Sequence, residues 1–257
     1  MTIWGIAAGV YGLVLAFAAV TKPIARRQVA LAAALAYAVV GFGAATLVGF
    51  WANVCVPGVL LLAGYWLSGM FFRNPQPRLE ERLLAIDQAV GADHWLDRMP
   101  HWLSGLLEAS YAAVYVVVGG GAIFAATAGI DAVAYYWSLV LTSELACYVT
   151  LPWLPSRPPR LLEPSVRTDV ARGTTRIRRL NAIILDNASV QANTLPSGHV
   201  AGAVAAALGV MPIVATVGWA VMGVAGLIAV AAAAGRYHYV LDCATAAGVA
   251  LAVWSLI

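Results

Sequence analysis

Long apolar runs, separated by short polar breaks, dominate this chain. The first runs roughly from Ile3 to Thr21, the second from Val29 to Phe50 and the third from Val54 to Phe72. A fourth covers about Trp102 to Ala125 and a fifth about Asp131 to Leu154. Three more close the chain: Pro196 to Met211, Pro212 to Ala234 and His238 to Ile257. A helix needs roughly 20 apolar residues to cross the hydrocarbon of a bilayer. The pattern therefore predicts an all-α fold, a polytopic transmembrane bundle of about eight helices.

The polar breaks have their own periodicity. From Leu79 to Leu96, charges alternate with Leu83, Leu84, Ile86 and Val90, which suits an amphipathic helix on the membrane surface. The longest polar segment runs from Arg157 to Asn193, and within it Ile177, Leu180, Ile183 and Ile184 are spaced for one face of an interfacial helix. Met1 to Val20 resembles a signal peptide only in part: no positive charge precedes its core, and Lys22, Arg26 and Arg27 follow it. It is expected to stay as the first membrane helix.

Composition agrees with the pattern. Of 257 residues 62% are hydrophobic and 11% charged, with mean hydropathy +0.83. A soluble domain carries about a quarter charged residues. Cys55, Cys147 and Cys243 all lie in apolar runs without metal spacing and are expected to be buried thiols. The net charge of +3 says less than its placement. All 15 lysines and arginines fall in the first, third, fifth and seventh inter-helix loops. The positive-inside rule then puts those loops in the cytoplasm and both termini outside.

The chemistry concentrates at the mouths of the last two apolar runs. His238 and Asp242 are four residues apart and share a helix face. A carboxylate there can accept from one imidazole nitrogen and leave the other free to attack; a purely structural hydrogen bond fits the spacing as well. Pro196-Ser197-Gly198-His199 reads as a helix start, with Ser197 as cap and the amides around Gly198 as an anion site. His199 stands where it can hand a proton to a leaving oxygen; a plain capping motif is the alternative. Arg157 and Arg160 follow the fifth run in a proline-stiffened segment, and Arg236 stands two residues before His238. Arginine forks match phosphate oxygens, although Arg236 can instead snorkel to the interface. The set suits metal-free phosphoryl transfer through a phosphohistidine. Glu108 and Glu144 are intramembrane acids, each costing about 2.5–3.5 kcal/mol at a bilayer centre. Both are expected to face the bundle, as part of the site or as structural hydrogen-bonding groups.

Pro196-Ser197-Gly198-His199, His238-x-x-x-Asp242 and Arg157-Pro158, in this order and across a helical hairpin, resemble the type 2 phosphatidic acid phosphatase superfamily. The resemblance implies His238 as nucleophile, Asp242 as its orienting partner and His199 as general acid. It implies Arg157, Ser197 and Gly198 as phosphate binders, with no cofactor. It also implies a six-helix catalytic core over residues 54–257, preceded by an extra hairpin over 1–53. Two positions depart from the family pattern: Thr150 stands where a lysine is usual, and Ala232 where an arginine is usual. Arg160 and Arg236 are the candidates to supply those charges. The departures look more like the branch of inositol-phosphorylceramide and sphingomyelin synthases. The expectation is an integral-membrane lipid phosphate phosphatase, or a phosphotransferase that passes its group to an alcohol. A non-catalytic headgroup-binding transporter or scaffold is the rival of another class. Phosphatidic acid, isoprenyl phosphates or diphosphates and phosphosphingolipids are the substrate candidates. The plasma membrane is the expected location, although the resemblance points to an outer or lumenal site rather than a cytoplasmic one.

Overall fold

A computed structural model describes residues 1–47, 49–95, 99–162 and 176–257. Val48, Leu96, Arg98, Arg167 and Arg172, each part of an expectation above, lie outside the described residues. The helices are α1 (Ile3–Thr21), α2 (Arg27–Ala44), α3 (Phe50–Gly69), α4 (Pro77–Ala89), α5 (His101–Ala112) and α6 (Val114–Thr127). They continue as α7 (Ile130–Tyr148), α8 (Arg176–Ala188), α9 (Gly198–Val210), α10 (Ala215–Ala234) and α11 (Val240–Leu256). Among the described residues there is no strand, and one antiparallel bridge joins Ser156 to Asn193. The fold is the expected all-α bundle.

Among the described residues four helices, α1, α2, α3 and α10, are long and apolar enough to cross a membrane. The α5–α6 pair makes a fifth if taken as one span. This is a multi-pass membrane protein. The eight expected runs are all helical, but they are not equivalent. The fourth is bent by 48° between α5 and α6. The Ser110 hydroxyl there donates to the Leu106 carbonyl one turn back (2.8 Å). The sixth run yields only the 13 residues of α9. At 1.5 Å per residue α9 is about 20 Å long, against roughly 30 Å of hydrocarbon. It is short because protein surrounds it: α6, α7, α10 and α11 all pack on it. Every residue of α9 except His199 is buried.

Small residues permit that packing. A Cβ at Gly198 would overlap the Tyr148 side chain, and one at Gly202 the Glu144 side chain, so side chains of α7 lie directly on the α9 backbone. The α1–α2 hairpin docks on α3 through polar tips. Tyr11 Oη donates to the Gly64 carbonyl (2.8 Å), Tyr37 Oη to the Leu60 carbonyl (2.8 Å) and Trp4 Nε1 to Asn53 Oδ1 (3.2 Å).

The first, third, fifth and seventh loops gather at one end of the bundle. Lys22 sits over the Trp153 ring, the Gln76 amide donates to the Pro155 carbonyl (2.9 Å) and the Arg160 amide donates to the Arg236 carbonyl (3.0 Å). At this end α4 departs from expectation. Its buried face carries Glu80, Leu83 and Asp87, while Ile86 is exposed. The expected apolar stripe is instead an acidic one, and the arginines it meets explain why. On α8, Ile177, Leu180 and Ile183 point outward while Asn181 is buried. Cys147 and Cys243 are buried, but Cys55 is exposed on α3, contrary to expectation.

Candidate functional site

The N-termini of α9 and α11 lie side by side because the Ser197 amide donates to the Asp242 carbonyl (3.1 Å). That one bond brings the two motifs together across the hairpin. The rings of His199 and His238 stand 6.0 Å apart, centroid to centroid. Both face a cavity of about 480 Å³, along with Arg160, Tyr111 and Tyr237.

His238 sits in the turn before α11, where its amide and that of Tyr237 both donate to the Ala232 carbonyl (3.0 Å each). Its Nδ1 lies 2.9 Å from Asn193 Oδ1 and 3.5 Å from Asp242 Oδ2. The nearer partner is thus Asn193. Asp242 Oδ2 also accepts the Tyr239 amide (3.0 Å) and closes a capping box at the start of α11. Asn193 Nδ2 donates to Ser156 Oγ (3.1 Å), which leaves Oδ1 to accept from His238. With Nδ1 protonated, the Nε2 lone pair is free. Burial, then the Arg160 guanidinium, pushes the His238 imidazole down to about 3, so it is neutral at physiological pH.

His199 stacks on Tyr111 (5.3 Å, 18°), and Tyr111 stacks on Tyr237 (4.0 Å, 16°). Tyr237 Oη donates to Glu108 Oε2 (2.6 Å), which also accepts from Asn181 Nδ2 of α8 (2.7 Å). Glu108 therefore faces the bundle as expected, one residue removed from the histidines. Ser197 is wholly buried and its Oγ has no hydrogen-bond partner among the described residues. It stands at the cap position of α9 but makes no capping bond; Thr194 Oγ1 accepts the Gly198 amide instead (3.4 Å). A buried hydroxyl without a partner at a helix N-terminus is a ready donor for an anion.

The three arginines separate. Arg160 faces the cavity, with Nη1 donating to the Tyr237 carbonyl (3.4 Å) and its guanidinium 5.9 Å from the Tyr237 ring. Arg157 instead forms a fork on Glu80: Nε to Oε1 at 3.0 Å and Nη2 to Oε2 at 2.7 Å. Burial pushes the Glu80 carboxyl up, but Arg157 pulls it further down, so it lies below its usual range. Arg236 is buried against Asp87 (Nη1 to Oδ2, 2.6 Å), so it does not snorkel. Neither Arg157 nor Arg236 lines the cavity. Among the described residues, no His, Cys, Asp and Glu cluster could hold a metal ion.

Sequence reasoning missed Asn193, Glu80 and Asp87. Nothing in the local sequence marks Asn193, which acts on a residue 45 positions away. The two carboxylates carried a signal that was misread. At i and i+7 they share a helix face, and that face also holds Leu83.

Away from the histidines the cavity is apolar, walled by Val54, Leu61, Leu62, Val118, Ala122 and Trp137. It runs along α3 from Tyr65 to Val54, about 17 Å at helical rise. A polar end and a long apolar body fit a lipid with a charged head. The family model described as PAP2 superfamily matches residues 78–257, more than two thirds of the chain. No curated protein and no solved structure matches it. The chain belongs to the PAP2 superfamily, whose members are phosphatases, which places it among enzymes that act on lipid phosphates in a membrane.

Proposed function

We propose that this PAP2 superfamily member removes or transfers phosphate on a membrane lipid through a covalent phosphohistidine at His238. The observation that carries the reading is the hydrogen bond from Nδ1 to Asn193, which leaves the Nε2 lone pair free on a residue that lines a cavity shared with His199 and Arg160. In the first step the Nε2 lone pair forms a bond to phosphorus, and the bond from phosphorus to the lipid oxygen breaks. His199, protonated once the anionic phosphate is bound beside it, gives its proton to that oxygen, and the lipid alcohol leaves. In the second step His199 takes a proton from water or an alcohol, whose oxygen attacks phosphorus and breaks the N–P bond. Arg160, the Ser197 hydroxyl and the amides at the start of α9 hold the phosphate oxygens in both steps. Asp242 supports His238 from 3.5 Å and stabilises it when it carries charge. No cofactor enters this scheme.

One observation favours the phosphotransferase reading. Glu80 and Asp87 already neutralise Arg157 and Arg236, so one guanidinium faces the cavity among the described residues. A phosphodiester carries one charge where a phosphomonoester carries about two, and suits such a site better. That brings the chain nearer to the sphingolipid synthase-like branch.

The test is purified protein against a panel of lipid phosphates and phosphodiesters, with and without candidate alcohols, following phosphate and lipid products together. Acid-labile phosphate on His238 should be seen by mass spectrometry. His199→Ala should slow its breakdown as well as its formation, and His238→Ala should abolish turnover. Turnover by His238→Ala at the wild-type rate would end the assignment.

A further inference from the structure

The cavity wall holds a carboxylate that the scheme above does not use. Glu144, on α7, lines the cavity among apolar neighbours and is itself buried. Its Oε2 accepts the Tyr148 hydroxyl at 2.5 Å. Its Oε1 lies against Gly202 of α9 and meets no donor among the described residues. An acceptor held in apolar surroundings with half its capacity unused is costly, and a ligand donor would offset that cost.

Its depth is set by α9. Tyr148 packs on Gly198, at the level of the phosphate-binding amides, and Glu144 packs on Gly202, one turn further in. Four residues of helix make about 6 Å. A lipid with its phosphate at the α9 N-terminus and its chains along α3 would pass Glu144 a few atoms below the phosphorus.

We infer that Glu144 is a ligand-binding residue whose Oε1 accepts a hydrogen bond from a hydroxyl or amide N–H near the lipid headgroup. The inference rests on the proposed function and narrows its substrate class. N-acylated sphingoid lipids carry such a donor a few atoms from phosphorus, and lysophospholipids carry a free hydroxyl there. Diacylglycerol lipids and isoprenyl phosphates have none. Gly202 supports the assignment, because its missing side chain is what lets the carboxylate reach the cavity between two packed helices.

The test compares pairs that share a headgroup: ceramide 1-phosphate with phosphatidic acid, sphingomyelin with phosphatidylcholine, and lysophosphatidic acid with phosphatidic acid. The full chain is assayed for kcat/KM and, separately, for lipid retention by native mass spectrometry. One hydrogen bond to a side-chain oxygen predicts a preference of about 5-fold for the donor-bearing member. Glu144→Met, which keeps the length but not the acceptor, should bring the ratio close to one, while Glu144→Gln should keep most of it. Equal handling of every pair by the wild type, or a ratio that Glu144→Met leaves intact, would overturn the inference. If no lipid of the panel is turned over, the enzymatic reading fails, and the retention ratios still decide the role of Glu144.

Discussion

Replacing Asp87 with alanine is a sharp test of how the polar end is held together. The Asp87 and Arg236 side chains are 0% and 2% exposed and meet at 2.6 Å. Asp87 Oδ1 also accepts the amide of Val240, the first residue of α11 (3.0 Å). Asp87→Ala therefore takes the Asp87 carboxylate from a buried guanidinium and leaves an amide without its acceptor. Removing one member of a buried pair costs about 3–5 kcal/mol, and the amide adds about 1–2 kcal/mol. The pair is itself held at a cost, because burial pushes the Asp87 carboxyl up despite the Val240 amide and the Arg236 guanidinium. Replacing both members with apolar residues should then be far milder than removing one. Unfolding free energies in one mixed-micelle system would measure this for Asp87→Ala, Arg236→Met and the Asp87→Leu/Arg236→Met double variant. The expected order places the double variant at least about 2 kcal/mol above Asp87→Ala. A loss below about 1 kcal/mol for Asp87→Ala, or a double variant no better than the single, would refute the reasoning. Activity adds a second readout. Arg236 does not line the cavity, so the double variant should keep turnover. Recovered stability without turnover would make Arg236 a phosphate ligand.

Asn193→Ala should lower kcat far more than KM, by about 10²-fold or more, because His238 loses the partner that fixes its tautomer; single-turnover phosphoenzyme formation would show it. An unaltered rate would return that role to Asp242. Because Arg157 holds the Glu80 carboxyl below its ordinary value, the Arg157 clamp stabilises the fold fully above that ordinary value and is lost as pH falls through the lowered one. Glu80→Gln should flatten the acid limb of a stability-against-pH curve, modestly, since the Arg157 side chain is 43% exposed. The charge bias predicts that, in a background without the three native cysteines, an impermeant maleimide added to intact cells labels Thr127→Cys and spares Gln88→Cys; the reverse would put the active site on the outer face.

The bundle was legible because hydrophobic period and length are properties of each segment by itself. The eight apolar runs mark the helices, and the Pro-Ser-Gly-His and His-x-x-x-Asp motifs mark the two N-termini that meet. What stayed hidden depends on partners distant in sequence. Arg157 and Arg160 look interchangeable along the chain, yet Glu80 takes the first and leaves the second facing the cavity. The α4 stripe looked apolar because Leu83 anchors it, while the acids beside it were assigned to water. Asn193 reaches His238 only because an isolated bridge to Ser156 sets its backbone. Neither residue lies in a motif. The bend at α5–α6 has no proline or glycine at Ala112, Ala113 or Val114 to mark it, so it does not show in a hydropathy pattern.

The division of labour along the chain follows from these partners. α4 presents Glu80 and Asp87 two turns apart, and each carboxylate binds an arginine from a different loop, the fifth and the seventh. One helix thus braces both loops that carry the site, and it neutralises charge that would otherwise compete with Arg160 for phosphate. The matched region begins at residue 78, one residue into α4, and takes in both histidines, Asn193 and Arg160. α3 lies before it, yet α3 supplies Val54, Leu61, Leu62 and Tyr65 to the cavity wall. On the proposed function, the polar end that would hold phosphate therefore lies in the matched region, while one apolar wall that would meet the lipid body comes from outside it. α3 is held by Tyr11 and Tyr37 of the N-terminal hairpin, which donate to its Gly64 and Leu60 carbonyls. Changes in the hairpin should accordingly reach chain-length preference through α3, and leave the tautomer and position of His238 to Asn193 and Asp242.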